Sequence, residues 1–263
     1  MNSTAKPEAG TRHAGVRKVR IDADQAGQRI DNFLRRELPG LPRSRLYRVL
    51  RKGEVRVNGG RVRAEYRLED GDEVRIPPVR ISAGPGEPPA GKVSAIASQV
   101  IYEDKRLLVI NKASGLAAHG GSGVSHGAIE LLRAARPDLR DLSLGPRLDR
   151  ETSGCLGFAK RRSALRELHA RFRDGDVQKN YRALVAGDGQ LGEQRIDAPL
   201  LVEHRKQGER HVVVSGAGKE SVTRIRLSRT FGEFSLVQCQ PETGRTHQIR
   251  VHALHTGHPI VGD

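Results

Sequence analysis

From Gln28 onward the apolar residues Ile30, Phe33, Leu34 and Leu38 recur at i, i+3, i+4 and i+8, with Arg29, Arg35 and Arg36 off that stripe. This spacing predicts an amphipathic helix. "PGLP" at 39–42 ends it, because proline fixes φ and removes a donor. Ser44 is placed to cap a second helix, "RLYRVLRKG", with Leu46, Val49 and Leu50 inward and Gly53 as its stop. Its outward face carries Arg45, Arg48, Arg51 and Lys52. The period then shortens. Val55 and Val57 alternate with polar positions, Asn58-Gly59 supplies the two positive φ angles of a hairpin, and Val74 and Ile76 mark a further strand.

Residues 79–97, rich in Pro, Gly and Ala and without a sustained period, read as a linker. Beyond it "LLVIN" (107–111) reads as a buried strand and "GAIELLRAAR" as a helix. "RSALRELHARFRDG" reads as an amphipathic helix through Leu165, Leu168 and Phe172. Strand patterns follow in "KNYRALVAG" and "SVTRIRLSRTFGEFSLVQCQPETG". Strands with inserted helices, not a strict alternation of the two, predict an α+β chain. The expected divisions are a flexible polar tail at 1–20, a small basic domain at 21–78, the linker at 79–97 and a larger domain at 98–263.

Charge sharpens this division. The chain has 46 Lys+Arg against 31 Asp+Glu, a net +15. Between Arg12 and Arg80 stand 18 Lys and Arg against 10 Asp and Glu, so about half of the surplus sits in about a quarter of the chain. Concentrated positive charge is the footprint of a phosphate-backbone partner. Cys155 and Cys239 cannot build a disulfide framework and lack metal-site spacing, which points to a reducing compartment. The start of the chain has no apolar segment after its charges, and no apolar run approaches the ~18 residues that span a bilayer. A cytoplasmic protein without a membrane partner is expected.

Four stretches are candidates for chemistry. In "GPRLDRETSG" (145–154), an extended backbone would turn Arg147 and Asp149 to the same side. A guanidinium there favours the charged carboxylate, a nucleophile or electrostatic stabiliser, although such an Asp is more commonly part of a surface ion pair. Tyr181 in "DVQKNYRALVAG" is either a core residue or a platform for an unpaired base. "TGRTHQIRVHALHTGHPIVGD" holds Arg245, Arg250 and four histidines, 247, 252, 255 and 258. No Cys or acid lies at ligand spacing, so structural or RNA-facing histidines are expected and no metal. "HGGSGVSHG" (119–127) lacks the Gly-Lys-Ser/Thr ending of a phosphate loop and reads as a turn that permits close backbone approach.

Taken together these stretches resemble known families. "RIDNFLRRELPGLPRSRLYRVLRKGEVRVNGGRV" with "LEDGDEVRIPP" resembles an S4 domain, an RNA-binding module. "EDKRLLVINKASGLAAHGG", "RLDRETSG", "KNYRALVAG" and "PETGRTHQIRVHALHTGHPIVGD", in this order, resemble the pseudouridine synthases of the ribosomal large subunit class that carry an S4 domain. The resemblance runs from about Ile21 to Asp263. It implies a mainly antiparallel β-sheet catalytic domain at 98–263, acting on uridines of 23S rRNA without cofactor or metal, in a monomeric enzyme. The aspartate of the R-L-D motif falls on Asp149, as the attacking or assisting carboxylate. The tyrosine of K-x-Y falls on Tyr181, to stack on the uracil and as a candidate to move the C5 proton; a free phenol, with a pKa of about 10, is a poor base at neutral pH. Arg245, from G-R-T-H-Q, is expected to pair with Asp149, and Arg147 to help extrude the base. Arg45, Arg48, Arg51 and Lys52 would grip RNA.

Two departures bear on this reading. Pro146 stands where the family usually has His before R-L-D, and the family continues beyond "GHPIVGD", where this chain stops at Asp263. A catalytic domain truncated at its C-terminus is therefore expected. The alternative reading is a non-catalytic RNA-binding protein that keeps the S4 domain beside an inactive synthase domain.

Overall fold

The structure, a computed structural model, describes residues 12–38, 40–81, 86–121, 124–139, 141–188, 192–204 and 210–263. They fall into two compact units. The first runs through Gly145 and includes Arg150–Arg166; the second is Pro146–Asp149 with Glu167–Asp263.

The first unit opens with β1 (Arg12–Ala14) and β2 (Arg17–Arg20), then α1 (Ile30–Glu37), α2 (Arg43–Arg51), β3 (Arg56–Val57), β4 (Glu73–Ile76) and β5 (Val79–Ile81). The apolar stripe behaves as its spacing requires: Ile30, Phe33 and Leu34 meet Leu46, Val49 and Leu50 in a core completed by Val55, Val57, Val74 and Ile76. Asn58 at φ 50° and Gly59 at φ 79° form the hairpin, with Val57 and Gly60 bonded to each other in both directions. Asn58 also donates to the buried Asp72 at 2.7 Å and accepts from the Glu73 amide at 2.8 Å, which fixes the turn against β4. Asp31 ties the two helices together by accepting from Arg29 and from the Tyr47 hydroxyl.

Three expectations are corrected here. The stretch expected as a flexible tail contains β1 and β2; β2 joins the sheet in the order β2-β4-β3, with Lys18 paired to Glu73 and Val19 packed on the core. One apolar residue among charges is too short a pattern to announce a strand. The stretch expected as a linker holds β5, which pairs with β1, and α3 (Ala90–Ala97), whose Ile96 is buried. Pro89 precedes α3 at φ −56°, a position where proline starts a helix instead of breaking it. Finally, Pro42 occupies the N-cap of α2 and Ser44 lies exposed in its first turn.

The unit continues with β6 (Val100–Glu103), β7 (Leu107–Lys112), α4 (Ala128–Ala135), β8 (Ser143–Leu144) and β9 (Gly154–Ala159), in the order β6-β7-β9-β8. Leu108, Ile110, Leu132, Leu142, Leu156 and Phe158 are buried around this sheet. Gly127 allows the close approach expected of the glycine-rich stretch, since a Cβ there would come within 2.5 Å of the His119 backbone. The Glu130 carboxylate accepts from the Gly120 and Gly127 amides, both at 2.9 Å, and so holds the loop to the start of α4.

The helix α5 (Arg162–Asp174) leads into β10 (Tyr181–Ala186), β11 (Glu193–Asp197), β12 (Leu200–His204), β13 (Arg210–Val214), β14 (Val222–Phe231), β15 (Phe234–Pro241) and α6 (Gln248–His255). The second unit is built on a sheet in the order β10-β15-β14-β11, with β12-β13 as a separate hairpin. Val185, Ile196, Ile225, Val237 and Cys239 face inward and meet Ala253 of α6. Burial pushes the Cys239 thiol up to about 12, so it behaves as an apolar core residue. All strand pairings among the described residues are antiparallel, in keeping with the α+β class.

Glu103 at the end of β6 receives Arg136 and Lys160, and these bonds hold its carboxyl down to about 2. A carboxylate depressed on folding stabilises above its ordinary pKa of 4.5 and loses that contribution as pH falls through about 2. Glu103→Gln is therefore expected to lower the thermal midpoint at pH 7, with the gap to the parent chain closing between pH 4.5 and 2. Calorimetry across that range checks this, and a gap independent of pH would contradict it.

Candidate active site

The structure brings Arg147, Asp149, Tyr181 and Arg245 into the same unit, although the sequence spreads them over nearly a hundred positions. Pro146 stands at a bend just past β8, and residues 147–149 are irregular, not the extended strand considered from sequence. Asp149 is half-buried and Arg147 exposed. Tyr181 opens β10 opposite Cys239 and lies partly buried against the core under α6. Burial pushes its phenol above the ordinary value of 10.0, and the Asp149 carboxylate pushes it the same way. Tyr181 is thus a neutral phenol at physiological pH: a flat apolar face with a donor hydroxyl, and a poor base.

Arg245 lies in the turn between β15 and α6. Its backbone N–H donates to Gln248 Oε1 at 2.9 Å, and its Nε donates to the Glu220 carbonyl at 2.9 Å. Among the described residues no ion pair joins Arg245 to Asp149, so the expected pairing is not formed in this structure. The guanidinium is exposed and drawn instead to a backbone carbonyl. His247 caps α6 in the left-handed region at φ 53°. Lys179, two residues before Tyr181, donates to the Thr243 and Glu242 carbonyls at 2.9 and 3.3 Å, which ties the K-N-Y and G-R-T-H-Q stretches together. Burial lowers the Lys179 pKa.

The four histidines divide by role. His252 is fully buried and bonded to Thr223 and to the Ala198 carbonyl, and His258 meets the Ala186 carbonyl. Among the described residues no group of three His, Cys, Asp or Glu could hold a metal ion.

Lys112, at the end of β7, was missed from sequence. It is fully buried, and its ammonium donates to the carbonyls of Ala113, Leu116 and Arg150 at 3.0, 2.9 and 2.8 Å. Arg150 follows Asp149 in the chain, and it exchanges two further bonds with Gly115. A lysine closing the apolar run "LLVIN" was the available signal. Lys179 and Gln248 lie inside the K-x-Y and G-R-T-H-Q stretches but were given no role from sequence, and Thr223 was missed because nothing local distinguishes it.

In the first unit Arg45, Arg48, Arg51 and Lys52 are all exposed on the outer face of α2, as its helical spacing requires. A cleft of about 530 Å³ beside that face is lined by Tyr47, Arg51, Arg61, Arg63 and Glu65.

Residues 106–255 match the family model described as RNA pseudouridylate synthase, and residues 28–74 match the S4 domain. The chain is 54% identical over 256 residues to Ribosomal large subunit pseudouridine synthase C of Escherichia coli (strain K12), covering 96% of this chain and 80% of that protein. The protein of the same name from Pasteurella multocida is 52% identical over 251 residues, 94% of this chain and 77% of that one. Among solved structures, human RNA pseudouridylate synthase domain containing 4 is similar with a TM-score of 0.55 and 27% identity, over 65% of this chain and 69% of that one.

Because burial and Asp149 act together on Tyr181, its phenol is expected to ionise at higher pH than a free tyrosine. An ultraviolet difference titration of the chain against Tyr181→Phe measures this directly. Asp149→Asn is expected to bring the ionisation down; a normal Tyr181 titration in the parent chain would refute the placement.

Proposed function

The chain belongs to the RNA pseudouridylate synthase family and carries an S4 domain, and from that premise we propose that it isomerises specific uridines of 23S rRNA to pseudouridine through Asp149. The observation that carries the role of Asp149 is its place in one unit with Tyr181, close enough for its charge to act on the phenol. The name shared by relatives more than half identical supports large-subunit RNA as the substrate. It is an enzyme reading, and it takes precedence over an RNA-binding protein without activity.

The reaction breaks the bond between ribose C1′ and uracil N1, turns the base, and joins C5 to C1′. The C5 proton is lost and N1 ends protonated, so the product is an isomer and the balance calls for no oxidant or reductant. In the proposal Asp149 supplies the carboxylate that attacks or assists at the nucleotide. Tyr181, kept neutral, lies under the uracil as a platform and turns its hydroxyl to the ring as a donor, which leaves it unsuited to act as a free base for the C5 proton. Arg147, exposed beside Asp149 in sequence, fills the space that the extruded uridine leaves in the stack. Arg245 moves from the Glu220 carbonyl to the carboxylate or its substrate when RNA enters.

The exposed row of Arg45, Arg48, Arg51 and Lys52 grips the RNA backbone away from the reacting base. The reducing compartment expected from two unpaired cysteines favours work in the cytoplasm, as a monomer.

The test is pseudouridine mapping on a 23S transcript. Modification at discrete uridines is expected with the parent chain and none with Asp149→Ala, which should bind the RNA with nearly unchanged affinity. Modification by Asp149→Ala would sink the assignment of Asp149; tight binding without modification by the parent chain would favour the non-catalytic reading. In a separate experiment, Arg45→Glu, Arg48→Glu and Arg51→Glu combined are expected to weaken binding and flatten its log–log salt dependence by roughly 2. An unchanged slope would remove this face from RNA recognition.

A further inference from the structure

The buried polar groups between β11, β14 and α6 form a chain of hydrogen bonds whose every direction is dictated from one end. The Ala198 carbonyl can only accept, so the 3.0 Å bond from His252 Nε2 places the imidazole proton on that nitrogen. Nδ1 is then bare and accepts from the Thr223 hydroxyl at 2.8 Å. Thr223 Oγ1, its only proton given, accepts from Gln248 Nε2 at 2.9 Å. The second Nε2 proton goes to the Val222 carbonyl at 2.9 Å, which fixes which way the amide points. Gln248 Oε1 must therefore accept, and it does so from the Thr243 hydroxyl and from the Arg245 backbone N–H, both at 2.9 Å. Thr243 Oγ1 in turn accepts from the Val222 N–H at 3.0 Å. Every donor and acceptor named is used.

We propose that Thr223, Gln248 and His252 act as positioning residues for Arg245, a relay that converts the rigidity of the sheet into a fixed placement of the turn carrying that arginine. This deepens the synthase reading and rests on it for the catalytic consequence. The turn needs an external hold. Residues 242–247 belong to no helix or strand, and His247 sits at φ 53° without a side-chain cap for α6. A non-glycine residue in the left-handed region persists only where its surroundings hold it there. The Glu242 N–H bond to the Val222 carbonyl, Lys179 and Gln248 supply that hold, and Gln248 meets the Arg245 backbone at both ends: its Oε1 accepts from the Arg245 N–H at 2.9 Å and its own backbone N–H donates to the Arg245 carbonyl at 3.3 Å. Burial lowers the His252 pKa, in keeping with the neutral imidazole on which the ordering depends.

Thr223 is the place to test this, because valine has nearly the same shape, lacks the hydroxyl, and interrupts the bonds to both His252 and Gln248. Serine restores the hydroxyl. In Thr223→Val the Arg245 amide is expected to exchange with deuterium at least about tenfold faster, while the amides of β15 hold their rates. With 23S transcript, kcat is expected to fall at least about tenfold and KM to stay within about twofold, the mark of a group that acts in the transition state and not in RNA binding. Thr223→Ser is expected to return both quantities towards the parent values. Unchanged exchange at Arg245 in Thr223→Val overturns the relay, and so does a kcat loss that Thr223→Ser fails to recover. Should the parent chain show no isomerisation, the synthase reading fails, and the exchange experiment still decides whether the relay holds Arg245.

Discussion

The Gln248 side chain is buried with four hydrogen-bonding positions, and all four are met by groups whose places are set by the sheet and by the turn. Leaving one unmet in such a site costs roughly 1–3 kcal/mol, more than the net gain of making an ordinary bond. That asymmetry makes the amide a constraint. The turn between β15 and α6 has one arrangement in which nothing buried is left over, and this is the arrangement that presents Arg245. The same rule governs Lys112 in the first unit, whose ammonium spends its three donors on three carbonyls and so fixes the backbone of residues 113–116 to Arg150.

Interactions of this kind explain what the sequence conceals. The helices α1 and α2, the Asn58-Gly59 hairpin, the strands through Leu108 and Val74 and the exposed basic face were all legible, because each depends on the period of a few consecutive residues. So were Asp149, Tyr181 and Arg245 as candidates, through the motifs that carry them. Gln248 was legible as a member of the G-R-T-H-Q motif but its role was not, since that lies in Thr223, 25 positions earlier, and in a backbone that only the folded sheet provides. The role of Lys179 lies in Thr243, its acceptor 64 positions later. The strand at Val19 and the helix after Pro89 failed for the opposite reason: their local patterns are weak, and tertiary pairing supplies the stability.

Burial of Tyr181 and the charge of Asp149 are one electrostatic problem. A phenol taken out of water resists ionising, and a carboxylate nearby makes a second negative charge still less favourable. If both acted as anions, each would oppose the other. In the proposed reading the neutral tyrosine leaves the negative charge of the site to the aspartate and an uncharged ring for a base to lie against. A free phenol is already neutral near pH 7, and the surroundings of Tyr181 push its ionisation further from that range.

Charge is distributed accordingly across the two kinds of surface. Exposed cations draw a phosphate backbone at long range, and the α2 face presents four, which suits the proposed role in which sequence and reacting atom are not distinguished. The turn that bears Arg245 is supported by an amide, two hydroxyls, the His252 imidazole, whose pKa burial lowers, and the ammonium of Lys179 on two backbone carbonyls. Hydrogen bonds fix geometry at short range, so in the proposed reading RNA capture falls to the α2 face and the placement of Arg245 to the groups bonded beneath its turn.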